Sequence, residues 1–423
     1  MLVKGAILVK NNTIYKCLFV IVILNIIPSA LLKLFGISDV LYTALYAIVY
    51  AIQTVFLLIY YHNNKIKINK KEVIIVVILL LMAISSYSYC LIKWNEYNYN
   101  EFLVYCSIIT NTIYFIVLMN HLNTDEASLL QFFKKIVYLG IICCFANCLL
   151  NFNILLNFAN ITGSYQANFS SIFPNRNSFG IFMLICIISN KYLIVKKNKN
   201  IDTFNQIFLI INLVMTMSRN AILGLTLFYI LLLIIRQIGR HGIIMRRTII
   251  ISVFLIILAS LCFYKIKNNE ILLMKIDMMF LRTESLQSGS GRFEVWDNGY
   301  KIFKNYNFIS GVGRYKALNL NRTIYGNSLQ YFHSIYFETL AEYGFIGISL
   351  LIYLLIFLKN KITTSRIEKE YLFITKASFY SFLFISIFES TCRFSIGYAD
   401  TIALVYFIAI PILIGNTNNQ NYL

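Results

Sequence analysis

Charge is the first thing this chain is short of. Of its 423 residues only 13% are Asp, Glu, Lys or Arg, while 59% are hydrophobic and 16% aromatic. A soluble domain carries roughly 25% charge, so the shortfall excludes an ordinary soluble globule and points to a membrane protein. Proline is nearly missing, at 3 residues, and only 4 histidines are present. There is no P-loop, no GxGxxG and no HExxH, which leaves ATP-driven transport, nicotinamide chemistry and zincin-type hydrolysis without support. The nine cysteines form no CxxC pair and fall mostly inside apolar runs. Their odd number and irregular spacing indicate neither a disulfide framework nor a zinc site, so they read as small buried hydrophobes. A cleavable signal peptide is not expected, because the first apolar run has full spanning length and no small-residue cleavage site. Acidic residues are also scarce, 18 against 37 basic, for a net charge of +19. That excess does not indicate nucleic-acid binding, because the Lys and Arg fall in short clusters between apolar runs rather than on one face.

What the chain does contain is a succession of apolar runs, each about 20 residues long, enough to cross the hydrocarbon of a bilayer. They predict an all-α polytopic integral membrane protein with about twelve transmembrane helices. The runs lie near 14–35, 40–61, 73–92, 101–121, 132–156, 178–195, 204–217, 220–236, 248–265, 334–358, 373–390 and 400–415. The seventh is the shortest, and without it every later loop would change side. With the N-terminus inside, 22 of the 37 basic residues fall in inside segments and five in short outside loops. The positive-inside rule then puts both termini in the cytoplasm and requires an even number of spans. One large extracytoplasmic loop, 265–332, separates helices 9 and 10. The chain accordingly divides into 1–264 (helices 1–9), the loop, and 333–423 (helices 10–12).

The loop is the one sizeable segment outside the membrane, so chemistry is expected there or on the surfaces beneath it. Phe293, Trp296, Tyr300 and Phe303 recur at helical spacing and predict an amphipathic helix lying on the outer membrane surface or capping the bundle. "SGVG", Ser310 to Gly313, follows as a tight turn. Three arginines gather on the outside: Arg176 in "FPNRNSFG", Arg219 in "TMSRNAILGL" and Arg292 in "GSGRFEVWDNGY". Each is a planar fork suited to phosphate or carboxylate, and each has the alternative of anchoring a span to lipid headgroups. His333 is the only histidine expected outside; it is either a general base or a polar residue bonded at a span start. A histidine-rich metal site is therefore not expected, although magnesium held by carboxylates stays open. Glu338 and Glu342, one turn apart just inside the next span, are expected to hold the arginines. Glu389, Arg393 and Asp400 flank the last outside turn and are further members of the same polar cluster. Gly344 and Gly347 are expected to allow close helix packing. Arginines beside a base suggest an anionic leaving group attacked by a hydroxyl, as in a lipid-linked phosphate or pyrophosphate.

The ordered set "TMSRNAILGL", "GRFEVWDNGYKIFKNYNFISGVG" and "HSIYFETLAEYGFIG" resembles the O-antigen ligase and polymerase superfamily of bacterial membrane glycosyltransferases. The resemblance covers the whole architecture and is most specific over residues 165–347. It implies catalytic roles for Arg219, Arg292 and His333. Trp296, Arg176 and Asn177 also match positions of the family pattern; together with Arg314, Glu338 and Glu342 they are expected to bind substrate. One departure is Ser334, where the family commonly has asparagine after the histidine. The implied reaction passes a glycan from undecaprenyl pyrophosphate to the non-reducing end of another lipid-linked unit, outside the inner membrane. No metal and no cofactor are implied. The implied partners are the lipid-linked oligosaccharide, membrane lipids, and a chain-length regulator and flippase of the same pathway; nucleic acid is not among them.

Polymerase and ligase readings are poorly separated by sequence. The richness in Asn, Ile, Lys and Tyr, a bias associated with polysaccharide gene clusters, favours polymerase. A flippase is the rival from another class, but transporters usually place charge near the bilayer midplane. Here the first nine expected spans carry almost none and the suspicious residues gather on one face.

Overall fold

The computed structural model describes residues 2–63, 77, 81, 84–86, 88–89, 91–94, 99–119, 126–153, 169–197, 199–239, 291–327, 331–365, 367–390 and 398–415. These residues are helical and contain no strand. The expected span near 248–265 and the first part of the loop, 265–290, lie outside the described residues, as do most of the span near 73–92, His121, His241 and Arg393.

The helices are α1 (Leu2–Phe35), α2 (Asp39–Asn63), α3 (Tyr99–Met119), α4 (Glu126–Leu150), α5 (Arg176–Lys197), α6 (Asn200–Met215), α7 (Arg219–Gly239), α8 (Arg292–Asn305), α9 (Arg314–Thr323), α10 (Ile335–Thr363), α11 (Lys369–Ile385) and α12 (Tyr398–Gly415). Among the described residues six have the length and composition to cross a membrane: α1 over Leu18–Phe35, α2, α4, α5, α7 and α10. The short run expected as a seventh span is α6, 16 residues long.

α5 is the centre of the bundle. Almost every residue from Phe179 to Tyr192 is buried, and α4, α6, α7, α11 and α12 pack around it. Apolar packing gives little net drive between helices in lipid, so close approach and internal hydrogen bonds carry the association. Gly180 supplies one such approach: a Cβ there would stand 2.9 Å from Ser218 of the α6–α7 turn and from Ala221 of α7. Asn147 Nδ2 donates to Asn212 Oδ1 at 3.2 Å, and Asn190 Nδ2 donates to Gln206 Oε1 at 2.6 Å. The large side chains on the outer faces of α2 and α7, such as Val55, Ile59, Ile230 and Ile234, are exposed, as lipid-facing positions are.

The two ends of the bundle differ. At one end Lys196 pairs with Glu126 at 2.7 Å, and Arg236 pairs with Glu370 at 2.6 Å. The other end carries α8 and α9, which share a small apolar core of Val295, Ile302, Val312, Ala317, Leu320 and Phe332 with Ala341 of α10. α8 matches the amphipathic helix read from the sequence, but its packed face is Val295, Asn298, Gly299 and Ile302. Phe293 and Tyr300 are exposed, at 64% and 49%. The helix therefore caps the bundle through small and branched residues and leaves part of its aromatic row outside. Lys93 and Lys316 flank Trp94, at 5.6 and 4.4 Å from its ring, and tie α9 to the helical residues 91–94.

The "SGVG" turn does more than reverse the chain. α10 is broken at Gly344, where φ is 60° and ψ −153°, and residues 308–313 enter the break. Val312 N donates to the Ala341 carbonyl at 3.2 Å and Gly313 N to that of Glu342 at 2.9 Å. In return Phe345 N and Ile346 N donate to the carbonyls of Phe308 and Ile309 at 2.7 and 3.0 Å. A helix interrupted at or near membrane depth needs its freed backbone groups paired by protein, and this turn pairs them. The glycines expected to ease helix packing thus differ in use, Gly344 being a backbone junction with the turn.

Candidate active site

Four segments distant in sequence meet at the end of the bundle that carries α8 and α9. The first is the start of α5, where Asn175 Oδ1 accepts from Ser178 N at 2.9 Å and so caps the helix. The second is the start of α7, reached through a three-residue turn with Met217 at φ 52°. The third is the start of α8 behind Gly291, at φ 73°. The fourth is the stretch Tyr331–Ser334, fixed to the end of α11 because Ile335 N donates to the Ser386 carbonyl at 3.1 Å.

Their common point is Glu389, four residues beyond α11. His333 Nδ1 and Glu389 Oε1 are 3.2 Å apart. Arg292 Nη2 lies 3.5 Å from Glu389 Oε2, and Arg292 Nη1 donates to the Phe388 carbonyl. Asn177 Nδ2 donates to Oε2 at 3.4 Å, and Asn220 Nδ2 donates to the same oxygen at 3.2 Å and to the Phe388 carbonyl at 3.2 Å. Burial by itself would raise the Glu389 carboxyl; the hydrogen bond and charge of His333, the charge of Arg292 and the Asn220 amide outweigh it and hold the group below the usual carboxylate range. The side chains of Glu389, Arg292 and His333 keep 15%, 23% and 23% of their exposure, so the cluster is walled but open to a substrate.

An ionised carboxylate only accepts hydrogen bonds, so a neutral His333 carries its proton on Nδ1 and leaves Nε2 as the basic nitrogen. Among the described residues Nε2 makes no hydrogen bond. His333 is also held at φ 52°, an uncommon backbone state for a non-glycine residue. Such strain clusters at functional sites, where the surrounding structure imposes it. Trp296 walls the other side: its Nε1 donates to the Phe332 carbonyl at 2.9 Å and its ring stacks on Phe337 at 5.4 Å.

Of the residues singled out from the sequence, His333, Arg292, Asn177 and Trp296 are brought together directly. Arg176 and Arg219 open α5 and α7, each beside an asparagine whose amide reaches Glu389. Arg314 is 5% exposed at the start of α9, and its guanidinium lies 5.7 Å from the ring of Tyr331, whose ring centre is 6.3 Å from that of His333. Glu338 and Glu342 are buried on α10, at 2% and 3%. The carboxylate that meets Arg292 is Glu389, which the sequence named as a further member of the polar cluster without pairing it with Arg292. Asn220 gave no signal beyond standing next to Arg219. Among the described residues no three His, Cys, Asp or Glu side chains are grouped as metal ligands.

Residues 204–352 match the family model described as O-antigen ligase. The match covers less than half of the chain and supports a likeness to the O-antigen ligase/polymerase superfamily over those residues. It covers α6, α7, α8, α9, His333 and the first half of α10. Asn177 and Glu389, two of the groups that complete the cluster, lie outside it. No curated protein matches the chain. The apolar helices make this a membrane protein, and the matched residues are similar to a family of O-antigen ligases.

Proposed function

We propose that this chain is a polysaccharide polymerase of the O-antigen ligase/polymerase superfamily. It transfers a growing glycan from undecaprenyl pyrophosphate to the non-reducing end of another lipid-linked repeat unit, outside the inner membrane. The observation that carries the reading is the convergence of His333 and Arg292 with the starts of α5 and α7 on one partly open cluster. The acceptor hydroxyl gives its proton to His333 Nε2 while its oxygen attacks the anomeric carbon of the donor. The bond from that carbon to the pyrophosphate oxygen breaks, and its electron pair leaves with the pyrophosphate. Arg219 and Arg292 bind the leaving group and stabilise the charge that grows on it. Arg176, Asn177, Trp296 and Arg314 line the approach. Neither a sugar nucleotide nor a metal takes part. The Asn-, Ile-, Lys- and Tyr-rich composition supports polymerase over ligase.

The test is a gel of surface and lipid-linked polysaccharide from a host lacking the gene, restored with wild type or with His333→Ala at matched protein level. Single repeat units in the deletion and in His333→Ala are the expected result. Long chains stranded on the lipid carrier would make the enzyme a ligase. Lipid-linked units held inside the cell would make it a flippase.

A further inference from the structure

The four-element cluster is built around a carboxylate to which no role has yet been given. We infer that Glu389 is the positioning residue of the reaction, holding His333 so that Nε2 faces the acceptor hydroxyl. This rests on His333 being the base proposed above.

The two carboxylate oxygens are divided. Oε2 takes Arg292 at 3.5 Å, Asn177 at 3.4 Å and Asn220 at 3.2 Å, from the starts of three different helices. Oε1 takes His333 Nδ1 at 3.2 Å. Two amide donors and the guanidinium charge on one oxygen fix the plane of the carboxylate and aim the other oxygen at the imidazole. The backbone secures both partners independently: the Ser386 carbonyl binds the start of α10, and the Phe388 carbonyl binds Arg292 and Asn220. A neutral amide at 389 would present the same shape to Arg292, but its NH2 could donate to Nδ1. That would move the histidine's proton to Nε2, where it cannot accept one. Among the described residues the ionisable groups facing Glu389 are His333 and Arg292, with Asn177 and Asn220 as neutral donors, and this carboxylate orients the imidazole. The positive φ of His333 has the same consequence: the backbone presents the ring at one angle, and the carboxylate fixes its remaining freedom.

The experiment uses the full chain, reconstituted with lipid-linked repeat units, and compares wild type, Glu389→Gln, Glu389→Asp and His333→Ala. Turnover is read alongside the ¹⁵N spectrum of His333, assigned by its loss in the alanine variant. In wild type the proton is expected on Nδ1. In Glu389→Gln kcat is expected to fall on the order of 10²- to 10⁴-fold, as when a base loses its orienting carboxylate. KM should stay within about threefold and the tautomer should change. Glu389→Asp should recover part of kcat. A wild-type His333 protonated on Nε2 overturns the inference, even if the glutamine variant does not fold. So does a glutamine variant that retains turnover, or one that loses KM and melting temperature together with the tautomer unchanged. Full turnover in His333→Ala would instead remove the proposed base, while the tautomer would still report whether Glu389 sets the ring.

Discussion

His333 and the arginines around it act through geometry that a like-charged substitute cannot copy. Arg219 opens α7 next to an amide of the cluster, and its planar fork suits a pyrophosphate oxygen pair in a way a lysine point charge does not. Arg219→Lys is therefore expected to lower kcat about 10²-fold, the usual loss for one donor to a developing oxyanion, measured as polymer formed per enzyme. Full activity in that variant would remove Arg219 from the charge-stabilising role. Glu389 gives a second residue-level expectation. Its folded pKa is depressed from the ordinary 4.5, so its contribution to stability is fully present above that value and is lost as pH falls through the lower, folded value. The melting-temperature gap between wild type and Glu389→Gln should be flat at neutral pH and shrink below about pH 4.5. A gap unchanged down to strongly acid pH would mean that the carboxylate gains nothing from its partners.

At the scale of elements, the junction between the 308–313 turn and the break in α10 is what seats α8 and α9 on the bundle. Gly311 sits at φ 72°, and a Cβ there would come within 2.2 Å of the Glu342 carbonyl. Gly326 has a similar φ of 66° with nothing within 4 Å. Both alanine variants carry the backbone strain of a left-handed residue, about 1–2 kcal/mol; only Gly311→Ala must also push α8 and α9 away from α10. Gly311→Ala should lower the melting temperature clearly more than Gly326→Ala and expose the 291–327 segment to protease. Equal effects would show that the turn does not pin these helices. Because Trp296 and Arg292 ride on α8, Gly311→Ala should also reduce activity.

The whole molecule separates charge by end. Lys196, Arg236 and their glutamate partners occupy one end, and the cluster around Glu389 the other. From the distribution of Lys and Arg, we propose that the first end faces the cytoplasm. Single cysteines placed at Phe293 and Lys196, in a chain with its native cysteines replaced, test this. An impermeant thiol reagent added to intact spheroplasts should label the first and spare the second. The reverse pattern would put the site on the cytoplasmic side and end the proposal of transfer outside the membrane.

The sequence by itself determined that the chain is helical and crosses a membrane, because hydropathy and helical period are local properties of the polymer. It marked Arg176, Arg219, Arg292 and His333, because an ionisable group beside an apolar span stands out without any knowledge of its neighbours. It marked α8 as well, but assigned the packed face to the aromatics when Val295, Gly299 and Ile302 take it. Helical period shows which residues share a face; the partner decides which face is buried, and here Phe332 needs the space that Gly299 leaves. Only the tertiary structure decided that Arg292 and His333 meet at Glu389. Their contact spans 56 residues of sequence to His333 and over 200 to Asn177, and no local pattern encodes it. The start of α10 is completed by the end of α11, whose Ser386 carbonyl accepts from Ile335 N at 3.1 Å.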